Sequence, residues 1–123
     1  MSEKLKVGIS IGDVNGIGLE VIIKALADSR IFDYCTPIVY GHTKVASFYR
    51  RTCNVHDLNF NIITSATQAN HKKANIIHCW DEDVRLEPGV ANEIGGKYAF
   101  LSLERATNDL VACLLYTSDA ADE

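Results

Sequence analysis

Several familiar signatures are missing from this chain of 123 residues, and each absence excludes a class of protein. No apolar run reaches the roughly 18 residues that a membrane-spanning helix needs, and no long apolar stretch follows the charged N-terminus as in a secretory signal. The formal net charge of −4 leaves no basic face for nucleic acid. We therefore expect a cytoplasmic protein that binds neither a membrane nor nucleic acid.

Metal and redox signatures are also absent. The four cysteines are Cys35, Cys53, Cys79 and Cys113. None belongs to a CxxC pair, which argues against a zinc ribbon or a redox dithiol, so we interpret them as buried small hydrophobic residues. The four histidines match no metal-ligand pattern: His42, His56, His71 and His78.

Nucleotide and nucleophile motifs are missing too. The chain has no GxGxxG fingerprint, and Gly96-Lys97 is followed by Tyr98 where a P-loop needs Ser or Thr. No Ser/His/Asp or Cys/His arrangement can be placed, so the sequence assigns no catalytic residue. His78 is interpreted as a packed histidine and Trp80 as a core residue. The acidic run at 81–83 and the basic run at 71–73 are interpreted as solvated connections.

Hydrophobic periodicity predicts strands that alternate with helices. The predicted strands cover 4–11, 36–40, 58–64 and 75–80. The predicted helices are 19–27, a second that follows an N-cap at Thr43 and carries Val45, Phe48, Tyr49 and Thr52, and 97–112. The last helix is predicted to bury Ala99, Leu103, Ala106 and Leu110, and to turn Glu104, Arg105 and Asp109 to solvent. This alternation predicts one α/β unit: a mostly parallel sheet with flanking helices on both faces.

A glycine-rich segment between the first strand and the first helix is the most informative stretch. Such a turn lets backbone N–H groups and a helix N-terminus face an anionic ligand. Five of its residues could bring the chain close to a cofactor, and a cofactor-binding role for them rests on the family resemblance given below: Gly12, Asp13, Gly16, Ile17 and Gly18.

Each residue of this segment also has a plainer structural interpretation. The glycines can serve a tight turn that binds nothing. Asp13 can cap a helix, and Glu20 can interact with the helix dipole. Asn15 is interpreted as a turn residue that tolerates positive φ.

The segment resembles the motif of the 4-hydroxythreonine-4-phosphate dehydrogenase (PdxA-type) family. The resemblance covers about residues 5–112 and rests on Gly12-Asp13, Gly16-Ile17-Gly18 and Glu20, with support from the Pro88-Gly89 turn and from Gly95 to Ala99 entering a long helix. The usual family motif has prolines where this chain has Val14 and Leu19. The resemblance implies the first part of an isocitrate/isopropylmalate dehydrogenase-like, two-lobed fold that forms a homodimer.

The resemblance also implies an activity. The family uses NAD and a divalent metal to oxidise, with decarboxylation, the small phosphorylated hydroxy amino acid 4-phosphooxy-threonine in pyridoxal phosphate biosynthesis. It places the metal ligands and catalytic residues downstream of Ala112, so none is assigned in this chain. Two alternatives stay open. One is a related dehydrogenase of a four-carbon acid phosphate, such as threonate or erythronate phosphate. The other is a stand-alone small α/β binding module.

The last residues differ from the rest of the chain. Residues 113–123 resemble a translated sequencing adapter, and a genuine acidic tail is the alternative. We therefore interpret residues 1–112 as a truncated N-terminal α/β lobe and 113–123 as a non-native tail. We expect this fragment to be inactive by itself.

Overall fold

One parallel sheet forms the centre of the molecule. The computed structural model describes residues 5–90, 92–112 and 116–117. The strands are β1 (Leu5–Ser10), β2 (Cys35–Gly41), β3 (Asn61–Ile63), β4 (Asn75–His78) and β5 (Tyr116–Thr117), in the order β3-β4-β2-β1-β5. Every pair of neighbouring strands is parallel. The predicted parallel α/β fold is thereby confirmed.

The helices cover both faces of this sheet. They are α1 (Gly18–Leu26), α2 (Thr43–Thr52) and α3 (Glu93–Val111), with short 3-10 helices at Ser29–Asp33 and Ala66–Gln68. Within the described part of the chain, no helix combines the length and the apolar character needed to cross a bilayer.

Alternating side chains of the central strands build two cores, because successive residues of a strand point to opposite faces. Val39 and Ile76 share one core with the buried faces of α1 and α2. Ile38, Tyr40 and Ile77 share the other with Ala106 and Leu110 of α3. Helices α1 and α2 therefore lie on one face of the sheet and α3 lies on the other.

The start and the buried face of α3 differ from the prediction. The Asn92 side chain accepts a hydrogen bond from the Gly95 amide, so the helix begins at Glu93 and includes both glycines. Leu103 is 55% exposed. The buried residues of the helix are Gly95, Tyr98, Ser102 and Ala106. The hydrophobic pattern identified Ala106 correctly but missed the rest of this face, because Gly95 and Ser102 are small or polar and allow a close approach to the sheet.

Asp109, which was predicted to face solvent, instead contacts the core. Its carboxylate accepts a hydrogen bond of 2.6 Å from the hydroxyl of Tyr40. Burial raises the pKa of the Tyr40 phenol well above its ordinary value, and the hydrogen bond and the negative charge of Asp109 raise it further.

Smaller corrections concern the sheet edges and the thiols. Strand β3 covers only three residues, and Ile62 is 58% exposed because β3 is an edge strand. The three described cysteines are half-buried, not fully buried as predicted. On the other side of the sheet, β5 pairs with β1 at Val7 and Gly8. Cys113 and the rest of the predicted tail, apart from 116–117, lie outside the described residues.

Ser102 joins α3 to the two central strands. Its hydroxyl accepts a hydrogen bond from the Ile11 amide at 3.1 Å and donates one to the Tyr40 carbonyl at 2.6 Å. Replacing Ser102 with alanine removes both of these buried hydrogen bonds, and we expect a loss of about 2 kcal/mol in the free energy of unfolding. Urea denaturation measures the loss. Ser10→Ala, at an exposed position of β1, is the control. Equal effects of the two changes would contradict the role of Ser102 in joining α3 to the strands.

Candidate functional site

The glycine-rich turn lies at the carboxyl edge of the parallel sheet, between the end of β1 and the start of α1. This is the edge at which open α/β sheets bind their ligands. Gly12 has a φ of +69°, a backbone conformation that a residue with a side chain rarely adopts. A Cβ at Gly18 would lie 2.9 Å from the carbonyl oxygen of Ile11, so the turn also requires glycine there.

The N-terminus of α1 has no side-chain cap. Ile17 occupies the N-cap position without forming a side-chain hydrogen bond, and its side chain is 74% exposed. The first amides of a helix have no partner within the helix, so an uncapped start can donate to an anion. Glu20 lies in the first turn, as predicted from the helix dipole.

Asp13 does not cap α1, so that structural interpretation is wrong for this helix. Its carboxylate accepts a hydrogen bond from the Asn15 amide at 2.8 Å. It also lies against the first turn of α3, where a Cβ added to Gly95 would come within 2.7 Å of its Cγ. Gly95 therefore lets the turn and α3 pack directly on each other.

Asn15 connects the turn to a distant part of the chain. Its side chain is buried, and Oδ1 accepts a hydrogen bond of 2.7 Å from the Glu87 amide, while Nδ2 donates to Asn92 Oδ1 at 3.4 Å. Its carbonyl accepts from the Gly89 amide at 2.7 Å. Asn15 lies in a turn, as predicted, but does not itself adopt positive φ, because Asn54 is the one non-glycine residue with positive φ in the described ranges.

Two further hydrogen bonds, one from α2 and one to α3, hold the turn in place. The Tyr49 hydroxyl of α2 donates to the carbonyl of Val14, and the Ile11 amide donates to Ser102 of α3. Burial, followed by the charges of Glu20 and Asp13, raises the pKa of Tyr49, so its hydroxyl stays a donor at neutral pH. The turn is therefore held by α2, by α3 and by the connection before α3.

A second cluster lies along the same edge, where β2 and β4 end side by side. The chain leaves β2 toward α2 on one face, and leaves β4 toward α3 on the other. The His42 and His78 rings stack there with centroids 4.1 Å apart, and His42 and Trp80 stack at 5.8 Å. Trp80 also packs against Tyr98 at 4.6 Å. His78 and Trp80 are thus packed residues, as predicted.

A cavity of about 330 Å³ opens beside this cluster. Its lining residues are His42, Lys44, Val45, Trp80, Glu82, Asp83, Val84 and Leu86. Lys44 and Asp83 form an exposed ion pair at 2.5 Å, and the hydrogen bond from Lys44 lowers the pKa of Asp83. Trp80 is 6% exposed, and its Nε1 has no hydrogen-bond partner within the described part of the chain.

The described residues contain no group of three or more His, Cys, Asp or Glu side chains that could hold a metal ion. The basic run at 71–73 and the acidic run at 81–83 are exposed, as predicted. His71 is more than a solvated side chain, however, because its Nδ1 lies 2.6 Å from the Thr36 hydroxyl.

Comparison with solved structures shows which class of fold this chain has. The chain superposes on the 4-hydroxythreonine-4-phosphate dehydrogenase of Burkholderia phymatum with a TM-score of 0.79 at 23% identity, covering 93% of this chain and 35% of that one. The Klebsiella pneumoniae enzyme of the same name gives 0.78 at 22% identity, with the same coverage. The chain therefore has the first part of an isocitrate/isopropylmalate dehydrogenase-like fold, as expected.

Sequence comparison gives the family. The chain is 38% identical over 106 residues to the 4-hydroxythreonine-4-phosphate dehydrogenase of Bacteroides thetaiotaomicron, covering 86% of this chain and 29% of that protein. It is 32% identical over 109 residues to a putative D-threonate 4-phosphate dehydrogenase of Clostridium botulinum, covering 86% of this chain and 32% of that one. No protein-family model matches. The chain thus matches the N-terminal part of the 4-hydroxythreonine-4-phosphate dehydrogenase family, and spans about a third of its relatives' length.

Proposed function

We propose that this chain provides the N-terminal part of an NAD- and divalent-metal-dependent dehydrogenase that oxidises 4-phosphooxy-threonine, with decarboxylation, for pyridoxal phosphate biosynthesis. The observation that carries the proposal is an uncapped helix start behind a glycine-rich turn, at the sheet edge where such folds bind ligands. The names of the relatives support a dehydrogenase. The working protein is proposed to be a cytoplasmic homodimer, and this segment alone is proposed to be inactive.

The cofactor role is proposed for Gly12, Asp13, Gly16, Ile17 and Gly18. The uncapped amides at the start of α1 fit an anionic group such as the pyrophosphate of NAD, which supplies the hydride acceptor when it is bound. The metal does not fit the described part of this chain, which groups no three ligands. Metal ligands are therefore proposed only for the remainder of a full-length protein.

Ile17→Asp separates a cofactor role from a structural one. Aspartate is a good N-cap, so the change should stabilise α1 by about 1 kcal/mol in urea denaturation. In the full-length protein the same carboxylate would compete with an anionic cofactor, and we expect at least a fivefold rise in the KM for NAD. Val21→Asp, at an exposed position of the same helix, is the matched control and should leave that KM unchanged. An unchanged KM in Ile17→Asp would contradict the cofactor role of the turn.

A related substrate is the second candidate, because one group of relatives bears the name D-threonate 4-phosphate dehydrogenase. The full-length protein should be assayed for NADH with phosphorylated hydroxythreonine and with threonate and erythronate phosphates, each with several divalent metals. NADH from the hydroxythreonine ester supports the first proposal, and NADH from an acid phosphate alone supports the second. If no NADH forms with any of these substrates, both dehydrogenase proposals are contradicted, and the stand-alone binding module is the hypothesis that remains.

We also propose that residues 113–123 are a non-native tail behind a lobe at 1–112. The resemblance of this segment to a translated adapter supports the proposal. Sequencing the DNA around codon 113 tests it. Adapter sequence there is the expected result, and an intact coding region that runs to a natural stop would contradict it.

A further inference from the structure

Two imidazole rings cap the N-terminus of α2, so the prediction that Thr43 is the N-cap of this helix is wrong. His42 Nδ1 accepts a hydrogen bond from the Lys44 amide at 3.1 Å, and His78 Nε2 accepts one from the Thr43 amide at 3.3 Å. The Thr43 hydroxyl also lies 2.9 Å from His78 Nε2. A ring nitrogen accepts a hydrogen bond only while it keeps its lone pair, so each cap requires a neutral imidazole.

Protonation of the His42 ring opposes this arrangement for three reasons. It removes the acceptor of one cap, it places a positive charge at the positive end of the helix dipole, and it brings that charge to a ring stacked at 4.1 Å. Burial lowers the pKa of His42 below its ordinary value, and electrostatic repulsion from the neighbouring His78 ring and from the Lys44 ammonium lowers it further.

Acidic groups face the same pair and act in the opposite direction. Asp83 and Asp81 raise the pKa of His42, but less than burial and the cations lower it. Glu82 lines the adjoining cavity. From α3, Lys97 lies 5.2 Å from the ring of Tyr98, which packs against Trp80. Burial and the repulsive charges therefore decide the direction of the pKa shift, and the fold favours the neutral form of His42.

We propose that His42 and His78 form an acid-sensitive cap, in which protonation of His42 releases the first turn of α2 and loosens the carboxyl edge of the sheet. The effect reaches the glycine-rich turn, because Tyr49 of the same helix donates to the Val14 carbonyl. A fall in pH therefore weakens the contact between α2 and the glycine-rich turn, although no residue of the turn is itself protonated. This inference is independent of the proposed function, because it concerns the stability of the edge and not its ligand.

The sign of the pH dependence follows from the lowered pKa. The unfolded chain binds a proton at the ordinary histidine pKa, which is above that of His42 in the folded state. The contribution of the cap is therefore fully present above about pH 6.5 and is lost as the pH falls below it through the folded-state pKa.

The single tryptophan makes the test direct. Trp80 stacks on His42, so its fluorescence should change in an acid transition with a midpoint below pH 6.5, and the urea midpoint should fall over the same range. His42→Asn keeps a good cap that does not titrate, and should remove at least half of that fall. His56→Asn, at an exposed loop position, is the control and should titrate like the parent.

Nitrogen-15 NMR of the histidine rings provides a second measurement that needs no variant. In the native protein at neutral pH, His42 should carry its proton on Nε2, and its Nδ1 should be unprotonated. A proton on Nδ1 of His42 would overturn the proposal. An undiminished fall of the urea midpoint in His42→Asn would overturn it as well.

Discussion

Replacing Gly95 with alanine is expected to destabilise the protein by about 3 kcal/mol, a large part of the ~5–15 kcal/mol that holds a typical domain together. The new Cβ would come within 2.7 Å of Asp13 Cγ. Asp13 must then move and give up the hydrogen bond from the Asn15 amide, or α3 must move away from the turn. Urea denaturation measures the change.

Gly96→Ala is the matched control, because it lies one residue along the same helix with nothing within 4 Å of its added Cβ. Alanine is the better helix former, so this change should stabilise the protein by about 0.5–1 kcal/mol. Shortening the opposing side chain should rescue the first variant, and Asp13→Ala in the Gly95→Ala background is expected to recover at least half of the loss. Equal effects of the two glycine substitutions would contradict the close packing of the turn on α3.

Asn15→Ala is expected to cost a similar amount, about 3 kcal/mol. It leaves the Glu87 amide without its acceptor, removes the donor to Asn92 and opens a small void under the turn. Its backbone bond from Gly89 is retained, so the connection before α3 should loosen without detaching. Hydrogen exchange of the Glu87 amide, measured by NMR, should be faster in this variant by at least tenfold.

Asn59→Ala provides the control at an exposed position of a loop, where we expect a change within about 0.5 kcal/mol. The comparison separates the buried contacts of Asn15 from any general effect of removing an amide side chain. Unchanged exchange at Glu87 in Asn15→Ala would show that the Asn15 side chain does not hold that connection.

The order of the elements could be predicted from the sequence because it depends on local patterns. The apolar run before Gly12 and the helical spacing after it predict β1 and α1 within one residue of their observed bounds. The prediction was poorer where the local pattern is weak. Helix α3 begins four residues earlier than expected because Asn92 caps it, and its buried face includes Gly95 and Ser102, which a hydrophobic pattern does not count.

The contacts of the candidate site were harder to predict because they join distant parts of the chain. Asn15 finds its side-chain partners 72 and 77 residues later, and Ser102 bonds to an amide 91 residues earlier. The pairing of His42 with His78 depends on β2 and β4 being neighbours, although β3 lies between them in the chain. Only the tertiary fold shows these residues together, whereas the glycine-rich turn was visible because its signal is contiguous.

The central claim is that residues 5–112 serve as the N-terminal part of a nucleotide-dependent dehydrogenase. The most direct test replaces the matching segment of the Bacteroides thetaiotaomicron relative with these residues and follows NADH formation from NAD and phosphorylated hydroxythreonine with a divalent metal. We expect the hybrid to form NADH at a measurable rate and to lose affinity for NAD when it carries Ile17→Asp. A folded hybrid that forms no NADH would contradict the account.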